Sequence, residues 1–150
     1  MFENVTPIFY VRDLPTSIDY YVRILGFTIV FHEPGIIASV ARDGCQLFLT
    51  EGDQGHPGTW VWIGVDDVEP LYADYVARGA KVRHPPTNYL WAFEMQIEDP
   101  DGHVLRIGSE PKDGRPIGPW LDMHGTLWEH TGEGWRRVVV PPGEPGSQPG

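Results

Sequence analysis

The chain repeats itself, and the repeat restricts what it can fold into. "VRDLPTSIDYYVRILGF" (Val11–Phe27) lines up with "VDDVEPLYADYVARGA" (Val65–Ala80), with four residues matching at one offset. Val11, Asp13, Tyr21 and Val22 fall on Val65, Asp67, Tyr75 and Val76. In the first copy Leu14, Ile18, Tyr21, Val22 and Leu25 recur at helical spacing; in the second, Val68, Leu71, Tyr72, Tyr75 and Val76 do. Asp13 and Asp67 suit the N-cap, where a carboxylate accepts from unpaired helix amides. Pro15 and Pro70 sit in the first turns, where a missing N–H costs little. Gly26 and Gly79 suit the left-handed position that ends a helix.

Three strand-like segments follow each helix. The first set is "FTIVFHE", "IIASVA" and "CQLFLT", and the second is "AKVRH", "WAFEMQIE" and "HVLRIG". "EDPDGH" (Glu98–His103) is a turn signal between the last two. Each half therefore reads βαβββ, which predicts an α+β fold of two tandem modules, residues 1–52 and 58–110, joined by the "EGDQGHPG" linker. From Pro111 the chain turns rich in Gly and Pro yet holds Trp120, Trp128 and Trp135. Residues 111–150 read as an extension that packs on the domain or on a partner chain. Thr126–Val140 is expected to form a hairpin around "TGEG", and the last ten residues to be a disordered, solvated tail.

Within "GTWVWIGVDD" (Gly58–Asp67) large and small residues alternate. A strand there puts Trp60, Trp62 and Gly64 on one face and Val61, Ile63 and Val65 on the other. The aliphatic face reads as core. The indole face either fills an interior or offers a stacking platform for a ligand.

The 150 residues suffice for one domain with a real core. A net charge of -10, from 21 acids against 11 basic residues, argues against a nucleic-acid partner and is compatible with a cationic ligand. The single cysteine, Cys45, excludes an intrachain disulfide and is expected beside Leu47 as a small buried hydrophobe. No run approaches the ~18 apolar residues of a membrane span. The N-terminus lacks a basic and then apolar leader, so no membrane association and a cytoplasmic location are expected.

The tandem βαβββ units, "VRDL" leading into "YYVRILGF", and "EDPDGHVLRI" at the end together resemble the vicinal-oxygen-chelate superfamily over residues 5–110. That superfamily includes glyoxalase I, extradiol dioxygenases and bleomycin-resistance proteins. The resemblance implies curved sheets enclosing a cavity and, in the enzymes, four inward His, Gln or Glu ligands to a divalent metal. The corresponding positions here are Thr6, Gln46, Trp60 and Arg106. Of these only Gln46 could ligate a metal: Trp offers an N–H donor alone, and Arg is a fixed cation. No metal and no cofactor are therefore expected.

An indole-lined, metal-free cavity resembles the bleomycin-resistance branch, which implies a homodimer that binds and sequesters a drug without transforming it. The expected ligand is a small, aromatic and cationic molecule. By strand parity Ile8, Tyr10 and Phe48 join Trp60 and Trp62 at the cavity, the resemblance places Gln46 there too, and Trp91 is a lid or groove wall. Arg106, predicted to face inward, needs a partner, and the preceding strand supplies Glu94, Gln96 and Glu98 on the matching face. Glu94 is also a group that could orient a cationic ligand. The alternatives are a metal-dependent isomerase, lyase or dioxygenase with displaced ligands (Gln46, Glu94 and a histidine), or an interaction module built on the Trp-rich extension. No histidine pair has zinc spacing, and His84 reads as a solvated loop residue ahead of two prolines.

Overall fold

A computed structural model describes residues 1–139. The first half runs β1 (Ile8–Tyr10), α1 (Leu14–Asp19, continuing through a π-helical turn at Tyr20–Ile24), β2 (Thr28–Glu33), β3 (Ile37–Arg42) and β4 (Cys45–Thr50). The second runs β5 (Trp60–Gly64), α2 (Val68–Arg78), β6 (Lys81–Asn88), β7 (Phe93–Glu98) and β8 (Val104–Ser109). The sheets have equivalent orders, β1-β4-β3-β2 and β5-β8-β7-β6. β1 pairs with β4, and β5 with β8, in parallel; the other pairings within these two sheets are antiparallel. This is the predicted α+β repeat, and neither sheet closes into a barrel.

The helix ends behave as their residues dictate. The Asp13 carboxylate accepts from Thr16 N–H, and Asp67 accepts from Glu69 N–H. Gly26 and Gly79 adopt φ of +77° and +83°, a region that costs other residues strain. Hydrogen bonding to Thr16 holds the Asp13 carboxyl below its ordinary range.

One hydrophobic core draws on both halves. Phe9, Leu14 and Leu49 from the first pack in the same cluster as Val68, Met95 and Leu105 from the second, with Val61, Ile63 and Val65 of β5 against it. The helices and the inner faces of both sheets supply this core. The outer faces carry the opposite parity: Tyr10, Gln46 and Phe48 on the first sheet, and Trp60, Trp62, Glu94 and Arg106 on the second.

The halves are locked by the "DPDGH" turn, which docks on the start of α1. The Tyr21 hydroxyl donates to Asp99 at 3.0 Å, Ser17 Oγ donates to Asp101 at 3.1 Å, and Arg12 Nε reaches Asp101 at 3.0 Å. His103 Nδ1 accepts from Thr59 N–H, which leaves the proton on Nε2 to be donated to Tyr10 O. Burial pushes the Asp99 carboxyl and the Tyr21 hydroxyl above their ordinary values.

Three local expectations need correction. β6 runs through His84 and both following prolines, so His84 is a half-buried strand residue whose ring burial makes harder to protonate. Proline is tolerated there because β6 is an edge strand with bulges. Cys45 is exposed, because it opens β4 directly after the tight Asp43–Gly44 turn and lies beyond the core that Leu47 reaches. Trp91 precedes β7 and does not open it.

The extension forms a third sheet, ordered β11-β10-β9, from β9 (Trp120–Leu121), β10 (Leu127–Thr131) and β11 (Gly134–Arg137). β10 and β11 are the expected hairpin; the two-residue β9, among prolines and glycine, is an addition. The expected disordered tail lies outside the described residues. Among those described, no helix is long and apolar enough to cross a membrane.

Candidate functional site

The outer face of the second sheet is built around one ion pair. β7 and β8 place Gln96 opposite Arg106 and Glu94 opposite Gly108, while parallel pairing sets Trp62 beside Arg106. A Cβ at Gly108 would overlap the Trp62 ring, so this glycine is what lets the indole lie flat on the sheet. Glu94 is 1% exposed. It accepts from Arg106 Nε and Nη2, each at 2.9 Å, a bidentate arrangement, and also from the Trp91 indole N–H. The Arg106 guanidinium lies 5.3 Å from the Trp62 ring centre and 4.9 Å from that of Trp120.

Trp120 arrives from the extension, which returns over this face. Leu121 O accepts from Gln96 Nε2 at 3.2 Å and from Arg83 Nη1 at 3.3 Å, and Asp122 O also accepts from Arg83. The Tyr89 hydroxyl donates to Pro119 O at 2.6 Å, and burial pushes its pKa up to about 12. Asn88 holds the connecting segment through Lys112 and Arg115 carbonyls. Asp122 then fastens the β9–β10 turn by accepting from His124 N–H, Thr126 N–H and Trp128 Nε1. That Trp128 bond holds the Asp122 carboxyl below its ordinary range.

The result is an aromatic layer. Tyr89 and Trp91 stack in parallel at 4.8 Å, and Trp120 meets both edge-on at 5.6 and 5.8 Å. Trp135 stands 6.1 Å from Trp91. Trp60 is enclosed by its own chain, with Arg83 5.0 Å from its ring centre and Trp120 at 6.4 Å. Trp62 and Trp91 remain 46% exposed each.

Of the residues singled out in the sequence, Trp60, Trp62, Trp91, Glu94 and Arg106 come together here. Tyr10, Gln46 and Phe48 form a separate group on the first sheet, where Gln46 donates to Ser39 Oγ at 2.6 Å and Phe48 meets Phe31 at 5.8 Å. Tyr89, Arg83 and Trp120 were missed. The three tryptophans of the extension signalled that it packs somewhere, but no pattern in the sequence gave its partner.

The four positions that hold metal in the enzymes do not fit one. Thr6 precedes β1 and Trp60 and Arg106 offer no lone pair, which leaves Gln46, whose amide nitrogen donates to Ser39 Oγ, as the one position with a ligating oxygen. Glu94, the displaced candidate, has both oxygens committed to Arg106. Among the described residues, no three His, Cys, Asp or Glu side chains gather in a metal-binding arrangement.

The sequence profile of the Glyoxalase/Bleomycin resistance protein/Dioxygenase superfamily matches residues 5–107. The chain belongs to this superfamily. Among solved structures it is similar to the bleomycin-binding protein of bleomycin-producing Streptomyces verticillus, complexed with copper(II)-bleomycin (TM-score 0.62, 22% identity, 75% of this chain and 98% of that one). TioX from Micromonospora sp. ML1 is similar too (TM-score 0.63, 20% identity, 73% and 99% covered). So is lactoylglutathione lyase from Agrobacterium tumefaciens (TM-score 0.60, 19% identity, 71% and 92% covered). At these identities the likeness is one of fold. No curated protein sequence matches the chain.

Proposed function

We propose that this protein binds a planar aromatic cation and holds it without chemical change. The observation that carries the reading is the pair of half-exposed indoles, Trp62 and Trp91, set on either side of a neutralised Glu94–Arg106 pair where the enzymes of the superfamily place metal donors. Indole faces attract flat cations by stacking and by their quadrupole. The net charge of -10 draws cations toward the protein and disfavours nucleic acid. The buried ion pair orients Trp91 through its N–H and leaves no free carboxylate, so the ligand's charge is met by indole faces and by the acidic surface. A bleomycin-binding neighbour of the same fold supports the ligand class.

Titration calorimetry with proflavine, a flat cation, and with bleomycin tests this. We expect saturable binding that weakens with salt. Trp62→Ala should weaken it by about 1–3 kcal/mol, because stacking and buried area are lost together. Absence of saturable binding by both compounds would sink the proposal.

The same reading includes a homodimer. Ile8 and Phe31 are exposed on the outer face of the first sheet, beside Phe48, and this apolar face is the one a second copy would cover. Sedimentation at micromolar concentration should show twice the 16.9 kDa chain mass. A single species at chain mass would remove the dimer from the proposal.

A further inference from the structure

The repeat is broken at one place, and the break leaves a cavity. In the first copy, the start of α1 is met by the five-residue Asp99–His103 turn between β7 and β8. Arg12 and Ser17 hold Asp101 there, and the contact is filled. In the second copy, the start of α2 faces the corresponding turn between β3 and β4, which is only Asp43–Gly44. At the offset that places Tyr21 on Tyr75, Arg12 becomes Asp66 and Ser17 becomes Leu71. The shorter turn does not reach, and a cavity of about 520 Å³ remains between the halves.

Its chemistry is two-sided. Phe27, Ile63, Leu71 and Ile107 give it an apolar floor. Its rim carries Asp43, Asp66 and Asp67 against one cation, Arg42. Arg42 is turned into the protein, donating to Leu25 O at 2.7 Å and to the Tyr75 hydroxyl at 3.3 Å. Asp67 has Lys112 at 3.5 Å as well as its helix cap. Among the described residues, Asp43 and Asp66 have no ion-pair partner. Where the first copy neutralises its carboxylate with Arg12, the second sets an acid opposite an acid.

We propose that this inter-module cavity is a second small-molecule site, distinct from the indole face, and that it takes an amphipathic amine. The apolar body fills the space left by the short turn, and the ammonium supplies the charge that Arg12 supplies in the first copy. Asp43 has φ of +50°, a conformation asparagine also adopts, so the carboxylates can be neutralised without disturbing the turn.

Cys45, the only cysteine, lines the cavity and is exposed, so its alkylation rate reports occupancy. The probes are 4-phenylbutylamine, 4-phenylbutanol and 4-phenylbutyrate, with iodoacetamide as the neutral reagent at pH 7 and amide NMR shifts as the second readout. We expect the amine to slow alkylation saturably and to shift amides of residues 42–45 and 63–71. The alcohol should bind about tenfold more weakly, as expected for two solvent-exposed carboxylates, and the butyrate more weakly still. The double variant Asp43→Asn, Asp66→Asn should erase the preference for amine over alcohol, and Trp62→Ala should leave it intact. The proposal is overturned if the amine neither protects Cys45 nor shifts those amides. It is equally overturned if butyrate binds as well as the amine, or if the preference survives in the asparagine variant.

Discussion

Arg106→Met should destabilise the protein by about 3–5 kcal/mol, the cost of leaving a buried carboxylate without its partner. Glu94 is the group left behind, and its 1% exposure gives water no access to replace the two guanidinium bonds. Glu94→Gln on its own should cost less, because Arg106 keeps 28% of its side-chain surface in solvent. The double variant should recover much of the loss, since apolar or neutral replacements of a buried pair are often tolerated. Chemical denaturation of the three variants checks this. If Arg106→Met is no worse than Glu94→Gln, Glu94 is not held by the pair.

Trp120→Ala should cost about 3 kcal/mol, toward the lower end for removing a large aromatic from a packed layer because the ring is only partly buried. It touches Trp60, Tyr89, Trp91 and the Arg106 guanidinium at once. The loss should show as a lower thermal midpoint together with a red shift of tryptophan emission, as Trp60 gains water. A variant that melts lower with unchanged emission would mean the extension stays docked through its backbone bonds to Arg83 and Gln96 alone.

The architecture was legible because the signals that fix it are local. Asp13 and Asp67 announce helix starts, Gly26 and Gly79 announce ends, and the alternation in β5 sorts Val61 and Ile63 from Trp60 and Trp62. The Arg106–Glu94 pair was within reach for a similar reason: two strands joined by a turn of readable length have a readable register. What was not legible depends on long-range contact. Nothing near Trp120 in the chain names Tyr89 or Arg106 as its neighbours. Cys45 was misplaced because parity gives the face of a strand but not how far the core extends along it. The two prolines after His84 signal a loop, because proline normally ends a strand, and only the sheet order shows that β6 lies at an edge.

The docked extension makes the superfamily boundary a poor place to cut this chain. A fragment of residues 5–107 would match the profile from end to end and would keep almost all of both four-stranded sheets. It would also strip the cover from Trp60 and Tyr89, leave Arg83 and Gln96 without the carbonyls they bond, and present a wider, stickier aromatic surface. If the full chain binds flat cations as proposed, such a fragment should bind flat molecules with less discrimination. On the proposed function, selectivity would rest on residues of the extension, which lie outside the 5–107 family match, and it would change with the tail while the two repeats stay fixed.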